Sequence, residues 1–387
     1  MITGASIVAA ARALVDEVRA QRDDAERLRH TPEALAAAIT SAGVYQMYLP
    51  RSMGGPEATP LEAFDAVEAL SVADGSVGWC AMIAIAMSFN AARLPVEVGR
   101  ELAGTPADYR AAGSARPGGK AWAVDGGYRV KGRWNFASGI NNARWLYATC
   151  VMMDGDRPIL NAAGKPVLRA VWVPHAQVTV IDTWSVMGMR GTGSRDFTVD
   201  DVFVPERFSV LSDAAPAATG PLYNRRMWNV ALWTPSAANA LGIARGAIDC
   251  LIETAQTEAS TLQTSLLRDR AMVQAKVGEA EAILGAVRAY VRDSVADIWA
   301  TVSAGDAPSD AQVARGRLAI THAMRESLRA VDIVFHAAGT NAIYTPSPLE
   351  RAFRDIHVAV QHGACLPSYY ESAGKVALGL RPDDPGW

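Results

Sequence analysis

The sequence predicts a three-part chain: a helical N-terminal region, a mainly β middle and a long helical bundle at the C-terminal end. Three observations predict it. Apolar residues recur at helical spacing before residue 108, with charges on the opposite face. From Tyr109 the pattern changes to short runs rich in β-branched and aromatic residues, parted by glycine and proline. After residue 212 it changes again, to four long alanine-rich stretches. The divisions 1–108, 109–212 and 213–387 follow, and a chain of 387 residues suits two or three domains better than one.

In the first part, Ile7, Ala11, Leu14 and Val18 share one helical face. Thr31-Pro32 predicts a helix start, with Thr31 as cap and proline in the first turn, and Gly43 can end that helix. Pro50 and Gly54-Gly55 break the chain before two further helices over 61–74 and 76–93. The second is nearly all apolar and is expected to be central. Residues 121–124 and 128–130 flank Asp125-Gly126-Gly127 as a hairpin. Strands are predicted over 145–153, 170–173, 178–181 and 197–204. Residues 213–221, rich in Ala and Pro, read as a linker. Helices are then expected over 228–257, 266–302, 309–338 and 356–380, forming an up-and-down bundle.

Bulk composition narrows the function. A formal net charge of -3 gives no overall electrostatic footprint for nucleic acid. The apolar run 77–89 falls well short of the roughly 20 residues of a membrane span, so no membrane association is expected. No charged segment followed by an apolar core opens the chain, so no signal peptide is predicted. Cys80, Cys150, Cys250 and Cys365 are widely spaced, which suggests inert thiols in a reducing, cytoplasmic setting and no metal site.

Two sets of segments carry chemistry. One is Trp134-Asn135-Phe136-Ala137-Ser138-Gly139 with the glycine-rich run Gly188-Met189-Arg190-Gly191-Thr192-Gly193-Ser194. The other is Pro348-Leu349-Glu350-Arg351-Ala352-Phe353-Arg354-Asp355, leading to Gln361-His362-Gly363. The first alternates aromatics and then turns on a small hydroxyl residue. The second run lets backbone approach a planar ligand closely, but it is no dinucleotide fingerprint, since no Gly-x-Gly-x-x-Gly opens a helix after a strand. His362 is a residue type that ordinarily titrates near neutral pH and can donate or accept a proton. Read alone, Ser138 is a turn serine and His362 a helix histidine.

Together these segments resemble the flavin-holding loops and the closing helical segment of the acyl-CoA dehydrogenase superfamily, in its branch of two-component flavin-dependent monooxygenases. The resemblance covers essentially the whole chain. It implies an acyl-CoA dehydrogenase-like fold with an N-terminal all-α domain, a central β-barrel-like domain and a C-terminal four-helix bundle. It implies an oxygenase component that takes reduced FMN or FAD from a separate NAD(P)H:flavin reductase. O2 would then be used through a C4a-hydroperoxyflavin to oxygenate a small organic substrate, aromatic or heteroatom-containing. Homotetramers are implied too. Ser138 would bond the flavin N5 region, His362 would steer the peroxide or act as base, and Arg190 would balance charge. Trp134, Phe136, Gly139, Gly113, Ser114, Gly191, Thr192 and Gly339 complete the expected flavin site, and Trp79, Ser88 and Asn90 the substrate pocket. Arg351, Arg354 and Asp355 are expected to be structural.

The chain also departs from its relatives. Where dehydrogenases carry a carboxylate base it has Gln361, His362, Gly363 and Ala364. Only Gly113-Ser114 remains of the dehydrogenase flavin loop, which fits borrowed rather than permanent flavin. The apolar helix 76–93 lacks the histidine common in aromatic hydroxylases of the branch. Two alternatives stand: an FAD-dependent dehydrogenase using Glu371, Glu253 or Glu258 as base, and a non-catalytic assembly subunit.

Overall fold

The computed structural model describes residues 2–104, 108–259 and 265–382. Among the described residues six helices come first: α1 (Gly4–Ala13), α2 (Val15–Leu28), α3 (Glu33–Ser41), α4 (Pro60–Ala73), α5 (Gly75–Ala91) and α6 (Val96–Ala103). Eight strands follow among the described residues: β1 (Ala111–Val124), β2 (Gly127–Ala137), β3 (Trp145–Asp154), β4 (Arg157–Pro158), β5 (Leu168–Pro174), β6 (Thr179–Ile181), β7 (Arg195–Pro205) and β8 (Ser209–Leu211). The last part holds α7 (Trp228–Ala255), α8 (Ala271–Ser303), α9 (Asp310–Ala338), α10 (Pro348–Ala359) and α11 (Ser368–Ala377). The order helical, β, helical is the one the sequence predicts.

Local signals explain most boundaries. Thr59 caps α4 in a capping box with Glu62, and the Asp74 side chain accepts the Val77 N–H at 2.9 Å to start α5. The α3 start falls one residue later than predicted. Pro32 is itself the N-cap, with ψ 142, and Thr31 makes no cap bond. Nearly every residue of α5 is buried, as its apolar composition demands. The predicted hairpin closes with Val124 opposite Gly127.

The sheet runs β6-β7-β2-β1-β3-β5-β8, with β4 on β3; among the described residues only the β1–β3 pair is parallel. Trp134 lies inside it, stacked on Phe197 at 5.2 Å, its indole N–H donating to the Thr149 carbonyl at 2.7 Å.

Two features of the bundle were hidden in the sequence. Proline lies inside α7 at 235 and cannot supply the N–H that would meet the Ala231 carbonyl. The Tyr48 hydroxyl donates to that carbonyl instead, at 3.1 Å, so the helix continues. The predicted helix 356–380 is broken: α10 ends at Ala359, a 3-10 turn spans Gly363–Cys365, and α11 restarts at Ser368. Gly363 and Pro367 are both poor helix residues, which accounts for the break. The fourth bundle helix is therefore two short helices, with His362 at their junction. Among the described residues no helix is long and apolar enough to cross a membrane.

Candidate active site

The glycine-rich loop before β7 is pinned from below by α10. Asp355 accepts the Met189 N–H at 2.5 Å, and Arg354 donates to the Met187 carbonyl at 2.7 Å. Gly188 permits this closeness, because a Cβ there would lie 2.2 Å from the Arg354 carbonyl oxygen. Arg351 donates to Asp23 at 2.6 Å and Arg354 to Glu350 at 2.6 Å, so this arginine pair links α10 to α2 and to itself. Burial pushes the Asp355 carboxyl up to about 8, helped by the nearby charges of Asp74 and Glu26 and opposed by the Met189 N–H.

Held in this way, the loop meets the end of β2. The Gly139 N–H donates to the Thr192 carbonyl at 2.8 Å. Ser138 Oγ lies 2.6 Å from Ser194 Oγ, which lies 2.6 Å from Thr192 Oγ1. From the other side, Trp79 of α5 donates its indole N–H to Ser138 at 3.1 Å. All four side chains are buried. The Cys80 thiol faces the Thr192 carbonyl at 3.6 Å, and burial raises it to about 12, so it stays a protonated, unreactive neighbour.

The same Trp79 reaches His362. Their rings are edge to face with centroids 5.0 Å apart, and Trp233 of α7 packs the imidazole from another side, also at 5.0 Å. The Ala364 N–H donates to His362 Nδ1 at 3.4 Å, which places the proton of the neutral ring on Nε2. Burial pushes the imidazole down to about 4. This corrects the expectation of a group titrating near neutral pH: the ring is uncharged there, because two indoles pack against it and burial disfavours the charged form.

Of the predicted residues, Trp79, Ser138, Gly139, Thr192 and His362 come together. Phe136 stands at the rim, 56% exposed, with a backbone φ of 63 and Trp184 edge-on at 6.3 Å. The others are elsewhere. Trp134 is inside the sheet. Gly113 lies in β1 against the Tyr147 backbone of β3, and Ser114 accepts the Arg116 N–H at 3.4 Å. The Arg190 guanidinium is on the surface, bonded to the Val186 carbonyl at 2.9 Å and 3.5 Å from Glu26. Gly191 packs on Ser76 and Ala25, and Gly339 is exposed at the end of α9. Ser88 donates to the Ile85 carbonyl at 2.7 Å and accepts the Tyr48 N–H at 3.1 Å, while Asn90 donates to the Ala86 carbonyl at 2.9 Å. Both therefore satisfy backbone within and beside α5. Sequence reasoning missed Trp233 and gave Ser194 no role. Ser194 lies in the quoted glycine-rich run and was findable; Trp233 sits in a plain helix with no local signal.

A cavity of about 460 Å³ lies apart from this cluster, between α2, the α4–α5 junction, α7 and α10. Arg19, Arg22, Asp74, Asp249, Glu253 and Arg351 line it, so it lacks the flat apolar wall that a ring system needs. Beside Ser138 the enclosed space is only about 10 Å³. The exposed Phe136 ring and the buried Ser138 hydroxyl two residues on are the groups that would meet a flat heterocycle with an N–H edge at this turn.

The helical, β, helical layers and this aromatic-and-hydroxyl cluster define an oxidoreductase scaffold of the acyl-CoA dehydrogenase type. Residues 5–94 match the family model "Acyl-CoA dehydrogenase, N-terminal domain" and residues 235–366 match "Acyl-CoA dehydrogenase, C-terminal domain". The indole-3-acetate monooxygenase of Pseudomonas putida is 33% identical, over 96% of this chain and 93% of that one. The oxygenase component of an FADH(2)-dependent resorcinol hydroxylase from a Rhizobium species is 29% identical, over 95% and 93%. The crystal structure of the HsaA monooxygenase from M. tuberculosis superposes with a TM-score of 0.88 at 27% identity, covering 100% of both chains. The chain belongs to the acyl-CoA dehydrogenase superfamily, in its branch of flavin-dependent monooxygenase oxygenase components.

Proposed function

We propose that this oxygenase component oxygenates a small aromatic substrate held against Trp79 and Trp233, with reduced flavin seated over Ser138. The observation that carries the reading is the double engagement of Trp79, which donates to Ser138 and packs against His362, so that the predicted N5 partner and the predicted proton-handling residue share one buried side chain. The chemistry supplied by bound reduced flavin is activation of O2 and transfer of one oxygen atom to the substrate, the other leaving as water.

The residues of this chain then have separable tasks. Ser138 accepts a hydrogen bond from the ring edge. Gly139 and Thr192 hold the backbone against which the ring lies, and Phe136 and Trp184 supply the apolar rim. His362, neutral and protonated on Nε2, donates a hydrogen bond toward the oxygen being transferred. Trp79 and Trp233 keep water from that N–H. Arg190 and Gly339 lie at the surface, where a second copy of the chain can bring them into a neighbouring site; a homotetramer in the cytoplasm is part of this reading, as is the division 1–108, 109–212 and 213–387. A separate flavin reductase supplies the reduced flavin. Similarity to enzymes named for indole-3-acetate and resorcinol supports an aromatic substrate.

The dehydrogenase alternative needs a carboxylate beside the site. Among the described residues, the side chains in hydrogen-bond or ring contact with Ser138 and His362 are Trp79, Trp233 and Ser194, none of them a carboxylate. Glu371 pairs with Lys375 at 2.7 Å, and Glu253 and Glu258 are exposed on and beyond α7. The test is turnover with a generic flavin reductase, NADH and O2, using indole-3-acetate and resorcinol as probes. Product heavier by one oxygen atom, labelled from 18O2, is the expected result. Flavin oxidation with no labelled product from either probe or from related phenols and indoles would overturn the aromatic assignment.

A further inference from the structure

The buried hydroxyls beside Ser138 form a chain whose direction follows from the groups at its two ends. Each hydroxyl has one hydrogen to donate and two lone pairs with which to accept. Thr192 Oγ1 lies 2.8 Å from the Met189 carbonyl oxygen, which can only accept, so the Thr192 hydrogen goes there. The 2.6 Å contact between Thr192 and Ser194 must then use the Ser194 hydrogen. The 2.6 Å contact between Ser194 and Ser138 must in turn use the Ser138 hydrogen. At the far end the Trp79 N–H, a donor only, occupies one lone pair of Ser138. Ser138 is left with a single lone pair and no hydrogen to offer. With all four side chains buried, water does not compete for these bonds.

We propose that Thr192 and Ser194 are positioning residues that lock Ser138 as a hydrogen-bond acceptor, and that this lock discriminates the redox state of the flavin. The inference rests on the reading that Ser138 meets the flavin N5 edge. Dihydroflavin carries a hydrogen on N5 and can donate to a lone pair. Oxidised flavin has only a lone pair at N5 and needs a donor. A serine free to rotate would serve both forms, donating to one and accepting from the other. A serine whose hydrogen is committed to Ser194 serves the reduced form and leaves the oxidised form facing lone pair to lone pair. The relay would thus favour loading of reduced flavin and release of spent flavin, without any residue touching the ligand except Ser138.

The experiment is anaerobic equilibrium binding of oxidised FMN and of photoreduced FMN to the full chain and to four variants. Thr192→Val removes the hydroxyl that starts the relay. It leaves no orphaned carbonyl, because Trp184 Nε1 also donates to the Met189 carbonyl, at 3.0 Å. Ser194→Ala frees the Ser138 hydrogen directly. In both, the ratio of oxidised to reduced dissociation constants is expected to fall about tenfold, mainly through tighter binding of oxidised FMN, as one unmade hydrogen bond is restored. Thr192→Ser rebuilds the relay and is expected to keep the parent ratio. A general structural role would weaken both redox forms alike and leave the ratio unchanged, and that result overturns the proposal. Ser138→Ala separates the two levels: if it alters binding of reduced FMN while the Thr192 and Ser194 variants keep the ratio, only the relay is wrong. If Ser138→Ala changes neither affinity, the flavin-contact reading falls and the relay falls with it.

Discussion

Trp79 donates its indole N–H to Ser138 across 3.1 Å, joining an N-terminal helix to the turn that ends β2. The same ring meets His362 edge to face, with centroids 5.0 Å apart. Three parts of the chain that are remote in sequence therefore converge on one side chain. Trp79→Phe keeps most of the apolar contact and removes only the donor. Stability is expected to drop by about 1 kcal/mol in chemical denaturation. A larger effect is expected on coupling, with more of the consumed O2 appearing as H2O2.

His362 gives a pH signature. Its folded-state value of about 4 lies below the usual 6.5 of histidine, so the ring is neutral in the native protein where an unfolded chain would already bind a proton. Its contribution to stability is fully present above pH 6.5 and is lost as pH falls toward 4, on the order of 2 kcal/mol given that the residue is not wholly covered. NMR of labelled histidine should show one ring whose shifts stay constant from pH 5.5 to 8. A His362 resonance titrating near 6.5 would contradict the packed site.

Asp355 acts with the opposite sign. Its carboxyl is raised to about 8 by burial and by Asp74 and Glu26, so it holds a proton in the native state where the unfolded chain has lost it. That contribution is complete below about pH 4 and is lost as pH rises through 8. Asp355→Asn keeps an oxygen for the Met189 N–H and removes the titration. Its stability between pH 5 and 8 is expected to vary less than that of the parent in denaturant titrations at each pH.

Gly188→Ala tests how the loop is held. The added Cβ would sit 2.2 Å from the Arg354 carbonyl oxygen, so α10 and the loop must separate. A loss of about 2–3 kcal/mol is expected. Reduced-flavin affinity should weaken as well, because the loop holds the Ser138-Gly139 turn through the Thr192 carbonyl.

Much of this was legible in the sequence, and the illegible remainder has physical causes. Hairpin turns and periodicity are local, so Asp125-Gly126 and the apolar run of α5 announced themselves, whereas the caps at Thr59 and Asp74 came from the structure and the predicted cap at Thr31 makes no bond. The continuity of α7 through Pro235 was not local, since it depends on a hydroxyl from Tyr48, 183 residues before the Ala231 carbonyl that it meets. Ser138 and His362 were chosen from their motifs, and the structure brings both to Trp79. Arg190 was chosen from the same kind of motif, yet its guanidinium reaches Glu26 and the Val186 carbonyl; a motif fixes the backbone of a 3-10 turn more firmly than the direction of a long side chain. Ser88 and Asn90 looked like pocket groups only because they were the polar residues of an apolar helix. Their hydrogen bonds to the backbone are the commoner use of such residues.

The most direct measurement is the fraction of consumed O2 recovered in oxygenated product, made on the parent, Ser138→Ala and His362→Ala with reduced flavin supplied at equal rate. The account predicts that each substitution lowers that fraction at least about tenfold, with H2O2 rising to match. Unchanged coupling in both variants would contradict it, because the side chains around Trp79 would then have no part in controlling oxygen.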